Sequence, residues 1–66
     1  MNRIKQYRKK RGLTQRQLAA RIYCDVNSLS AWENGRRIPG IDSALLLARA
    51  LGVSVEALFG EEGPYV

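Results

Sequence analysis

The 66-residue sequence has no histidine, one cysteine, two prolines and no apolar run of the length a membrane helix needs. Each shortage removes a class of function. Without histidine, the side chain that most readily exchanges protons near neutral pH is missing. One thiol and no imidazole leave too few ligands for structural zinc. No serine, cysteine or carboxylate stands in a recognisable nucleophile–base spacing, and a chain this short has little room for a catalytic cleft. These features point away from an enzyme, and lead us to expect no cofactor, no metal and no small-molecule ligand. A lone cysteine cannot close an internal disulfide and suits a reducing compartment. The N-terminal stretch MNRIKQYRKKRG is basic but has no apolar segment behind it, so it does not read as a signal peptide. We expect a cytoplasmic protein with no membrane partner.

Acidic residues are scarce where basic ones are dense. Residues 1–40 hold ten of the eleven lysines and arginines against Asp25 and Glu33, a balance of +8. Residues 41–66 hold Arg49 against Asp42, Glu56, Glu61 and Glu62, a balance of −3. A basic half joined to a mildly acidic half suggests one face for a polyanion and another for something else. A domain of this size buries only about 60% of its unfolded surface and is marginal alone. A two-fold partner covering apolar surface on each copy would help it.

What is present is helical punctuation. Thr14 and Gln17 have the spacing of a capping box, and Leu18, Ala19 and Ile22 then define one apolar face. Asp25 is the next cap candidate, followed by Leu29, Trp32 and Glu33 at i, i+3 and i+4, with Asn34-Gly35 as the stop. Two short helices joined by a tight turn at Tyr23 and Cys24 have the dimensions of a helix-turn-helix. Cys24 reads as a small buried hydrophobe. Leu29, Trp32 and Glu33 take the inner side or its edge. Val26, Asn27, Ser28, Ser30 and Ala31 are left on the outer side, small and uncharged, as a helix entering a DNA groove requires.

A first helix is expected over residues 3–11, with Ile4, Tyr7 and Arg11 on one face and Arg8 at its edge. Gly12 ends it. After the basic loop at residues 36–40, a fourth helix runs over residues 41–51. There Ile41, Ala44, Leu45, Ala48 and Leu51 keep a helical period, and Leu46 and Leu47 widen the apolar band. Ser54 caps a short fifth helix through Phe59. No alternating strand pattern of useful length occurs, so the fold class is all-α, with a domain over residues 1–60 and a short tail over 61–66.

In that order and spacing, RKKRGLTQRQLA, SLSAWENGRRIP and ALGVSVEALF resemble the helix-turn-helix domain of phage repressor and Cro proteins, the XRE family. The resemblance spans residues 3–59. It implies a five-helix lambda-repressor-like domain that binds double-stranded DNA in a sequence-specific way, usually as a homodimer on a near-palindromic operator. Carried over by position, it implies base reading by Val26, Asn27, Ser28 and Ala31. Backbone contacts fall to Thr14, Gln15, Arg16, Ser30, Asn34, Arg36 and Arg37. Arg8 and Glu33 match a pair that links the first helix to the end of the third. Such a pair is structural, since each partly buried charge needs the other.

Two departures from the family pattern bear on the expectations. Tyr23 stands where the family usually has glycine. Holding the left-handed conformation there would cost about 1–2 kcal/mol. The base-reading positions carry no arginine or glutamine. Asn27 can bond adenine N6 and N7, and Val26 or Ala31 can meet a thymine methyl, which implies a preference for A·T pairs. Candidate dimer contacts are Val55, Leu58, Phe59, Tyr65 and Val66. The alternative function is an antitoxin or other protein-interaction module, against which stands the lack of a long tail for wrapping a toxin.

Overall fold

The computed structural model describes residues 2–60. Its helices are α1 (Ile4–Lys10), α2 (Gln15–Arg21), α3 (Val26–Glu33), α4 (Ile41–Leu51) and α5 (Val55–Phe59). Among the described residues there is no strand, and no helix is long and apolar enough to cross a membrane.

The helix starts follow the sequence signals. At α2, Thr14 Oγ1 accepts from the Gln17 N–H at 3.1 Å, and Gln17 Oε1 accepts from the Thr14 N–H at 2.8 Å. Two otherwise orphaned donors are thereby satisfied by one reciprocal pair. Asp25 caps α3 through Ser28, and Ser54 caps α5 through Ala57. Arg3 and Arg11 flank α1 rather than belong to it. The start of α1 is held by Asn2, whose Oδ1 accepts from the Ile4 N–H at 3.1 Å while its Nδ2 donates to the Trp32 carbonyl at 2.7 Å. The Arg3 N–H donates to the Leu58 carbonyl at 2.8 Å. The chain's first residues thus clip α1 to the end of α3 and to α5.

The core is built from Ile4, Leu18, Leu29, Leu47, Leu51 and Leu58, all fully buried, with Ala19, Ile22, Trp32 and Ala48 packed among them. Burying each large aliphatic side chain contributes about 1.5–3 kcal/mol. On α4 the inward arc is Ala44, Leu47, Ala48 and Leu51, the i, i+3, i+4, i+7 set. Ile41 and Leu45, expected on that arc, are exposed at 66% and 49%. Five consecutive apolar residues at 44–48 cannot all lie on one arc, because each step turns the helix by about 100°. The packing selects 44 and 47 and leaves Leu45 outside.

α5 also departs from expectation. Leu58 is fully buried and Val55 and Phe59 pack against the core, so Leu58 is unavailable to a second chain. Tyr65 and Val66 lie outside the described residues.

Arg11 does a job its sequence context did not reveal. Its Nε donates to the Leu51 carbonyl at 3.0 Å, satisfying the last turn of α4. Gly52 follows with φ +69, and a Cβ placed there would collide with the Arg11 guanidinium. Gly52 therefore answers two demands, a left-handed backbone and room for the arginine.

Candidate nucleic-acid interface

The turn between α2 and α3 keeps the tight form. Tyr23 has φ +58, and the Cys24 N–H reaches back to the Ala19 carbonyl at 3.0 Å. The tyrosine side chain is 89% exposed, so it gains little from packing in return for its strained backbone. Cys24 is half-buried and packs against the core. Burial, and then the charge of Asp25, push its thiol above the ordinary range, which keeps it protonated and unreactive.

α3 begins at Asp25, whose Oδ1 accepts from the Ser28 N–H at 2.6 Å. The Ser28 N–H and then its side chain hold the Asp25 carboxyl below the ordinary carboxylate range. The Arg37 guanidinium adds the smallest share. The loop that follows α3 in the chain carries two exposed cations, Arg36 and Arg37.

At the end of α3 sits a buried polar knot. Arg8 Nε donates to Glu33 Oε2 at 2.7 Å and Arg8 Nη2 to Glu33 Oε1 at 3.2 Å. Arg8 Nη1 donates to the Leu13 carbonyl at 2.8 Å. The side chains are 9% and 1% exposed. This is the fork-on-carboxylate geometry that gives an arginine pair its strength and orientation. A further member was not foreseen. Gln15 Nε2 donates to Glu33 Oε1 at 3.1 Å, so one carboxylate holds both α1 and the start of α2 against the end of α3. A glutamine carries two amide protons, which leaves the second N–H of Gln15 for a ligand.

The remaining expected positions divide. Asn27 is exposed, and Val26 and Ser28 are half-buried, Val26 packing in part against the core. Ala31 is not on the outer side. It is 7% exposed, and the chain folds back over its turn of helix, with the N–H groups of Arg36 and Arg37 donating to its carbonyl at 3.0 and 3.4 Å. Its low exposure leaves Ala31 little side-chain surface for a base contact. Thr14, Arg16, Asn34, Arg36 and Arg37 are exposed, and Gln15 and Ser30 are half-buried. Asn34 Nδ2 donates to Ser30 Oγ at 3.4 Å, which ties two of these polar groups together.

A family model described as helix-turn-helix matches residues 4–58. The chain belongs to the XRE helix-turn-helix family. This family member is 42% identical over 60 residues to the immunity repressor protein of Bacillus phage phi105, covering 91% of this chain and 42% of the relative. It is 35% identical over 60 residues to the HTH-type transcriptional regulator ImmR of Bacillus subtilis, with coverage of 91% and 47%. Over 61 residues it is 34% identical to the HTH-type transcriptional activator BcrR of Enterococcus faecalis, with coverage of 91% and 30%. The chain therefore spans less than half the length of each of these three relatives. They are transcription regulators by name, not enzymes.

Proposed function

We propose that this helix-turn-helix domain is a sequence-specific double-stranded-DNA-binding transcriptional regulator, a repressor acting as a homodimer on a near-palindromic operator. The observation that supports this reading is an uncharged, compact α3 edge with Asn27 exposed, on a helix flanked in sequence by the exposed Arg16, Arg36 and Arg37. Asn27 and the part-exposed Val26 and Ser28 suit base edges in the major groove, where bulky side chains would hold the helix away. Arg16, Arg36 and Arg37, with the Thr14 hydroxyl and the free Gln15 amide proton, suit the flanking phosphates. Asn27 favours adenine and Val26 a thymine methyl, so the contacted bases should be A·T-rich. Repression requires only that bound protein block other proteins from the same DNA. The phage repressor has the highest identity of the three relatives named above.

The homodimer reading is supported by family resemblance, and the scale of the molecule is compatible with it. The body measures 28 × 20 × 18 Å. Two such bodies side by side place equivalent helices on the order of 20–35 Å apart, a range that includes one turn of B-DNA at about 34 Å. Selection of bound sites from a random duplex pool tests the reading. The expected product is an inverted repeat with half-sites about one helical turn apart, bound less tightly as salt rises. A pool with no enriched sequence, or binding indifferent to salt, would overturn it.

A further inference from the structure

The outer face of α4 is a surface feature that the DNA reading leaves unused. Asp42, Leu45, Leu46 and Arg49 line one shallow open depression on it. Ile41 adds apolar surface beside Leu45, one turn away. The face has one acid near its start, one base near its end and leucines between them. Among the described residues neither Asp42 nor Arg49 makes an ion pair. They cannot pair with each other, because seven residues of helix separate them by roughly 10 Å along the axis.

We propose that this face binds a second copy of the chain, α4 against α4 and antiparallel about a two-fold axis. The axis passes midway between Leu45 and Leu46. It places Asp42 beside the partner's Arg49, and Arg49 beside the partner's Asp42, since each lies equally far from that midpoint. An isologous interface must be self-complementary. This face meets the requirement in both currencies, with leucines meeting leucines at the axis and opposite charges meeting on either flank. A partner of different sequence would have no reason to match an acid and a base so placed. The inference rests on the homodimer reading above and deepens it by moving the contact from α5 to α4. One helix face is small beside the roughly 800 Å² per partner of a standard stable interface. Free dimers are therefore weak, and DNA carrying two half-sites consolidates them.

Charge reversal tests the proposal in sedimentation equilibrium and in titration of a two-half-site duplex. Asp42→Arg alone sets two like-charged pairs at the interface and should weaken self-association about tenfold or more. Arg49→Asp alone should do the same. The double variant Asp42→Arg/Arg49→Asp restores both pairs in reversed sense and should return to within about threefold of wild type. Both side chains replaced are at the surface, and a thermal melt checks that each variant folds. Leu45→Cys in a Cys24→Ser background gives a second readout, a disulfide-linked dimer under mild oxidation. Dimers that ignore both single reversals and fail to cross-link would overturn the α4 interface while leaving the homodimer standing. A protein that is monomeric at every concentration and occupies the two half-sites independently would overturn both.

Discussion

α3 and α4 present opposite kinds of outer face. Both bury an apolar arc against the same core, with Leu29 and Trp32 from one and Ala44, Leu47, Ala48 and Leu51 from the other. The outer edge of α3 is polar and compact, and a buried ion pair anchors its far end. The outer face of α4 is apolar between two isolated charges. The difference separates two ways of meeting a partner. A helix that reads base edges needs small hydrogen-bonding groups held rigidly from behind. A helix that meets its own copy needs apolar surface with charges arranged symmetrically.

Rigidity of the α3 side depends on the Arg8–Glu33–Gln15 knot, and breaking it gives the largest expected effect. Glu33→Ala leaves the Arg8 guanidinium buried without its carboxylate and should cost about 3–5 kcal/mol in urea unfolding. A double replacement, Arg8→Met with Glu33→Leu, should recover most of that stability, because a packed apolar pair can substitute for a buried ionic one. It should not recover DNA affinity, because Gln15 would still lack its acceptor. Recovery of both would show that the knot serves stability alone.

Arg37 sharpens the comparison from the DNA side. Arg37→Ala should weaken binding to all duplexes alike and reduce the salt slope by about 1, as expected of a phosphate contact. The same change should leave the α4 self-association untouched.

Tyr23 tests whether the turn aims α3 through strain. Tyr23→Gly should stabilise the fold by about 0.5–1 kcal/mol, the left-handed penalty less the entropy cost of glycine, read as a higher Tm. DNA affinity should not change, since the backbone already has the conformation glycine would choose.

The smallest expected effect is at the α3 cap. The Asp25 carboxyl is held low in the folded state, so its capping contribution is present above its ordinary unfolded value. That contribution fades as pH falls through the lower folded value. The acid-side loss of stability should therefore be shallower in Asp25→Asn, which can cap α3 without titrating. Melts across the acidic range compare the two.

Much of this was legible in the residues because local signals and global fold agreed. Thr14 with Gln17, Asp25 and Ser54 announced three helix starts that the structure reproduces. The Arg8–Glu33 pair was legible through the family resemblance, which two charges at the edges of apolar faces support. Three things were not. Helical period alone cannot choose among consecutive apolar residues, so Leu45 was assigned inward and is outward. Ala31 lies on the outer arc by period yet is buried, a difference that period alone does not encode. Gln15 on Glu33 and Arg11 on Leu51 are contacts across 18 and 40 residues, and long-range hydrogen bonds of that kind leave no trace in local spacing.

The central claim is that the outer edge of α3 reads bases while the flanking cations grip phosphate. It is tested most directly by titrating wild type and Asn27→Ala against the selected duplex and a scrambled one over a range of salt. The account predicts that Asn27→Ala folds as wild type and loses about 1–3 kcal/mol on the selected duplex. Its affinity for the scrambled duplex and its salt slope should be unchanged. An Asn27→Ala variant that discriminates between the two duplexes as well as wild type does would contradict it.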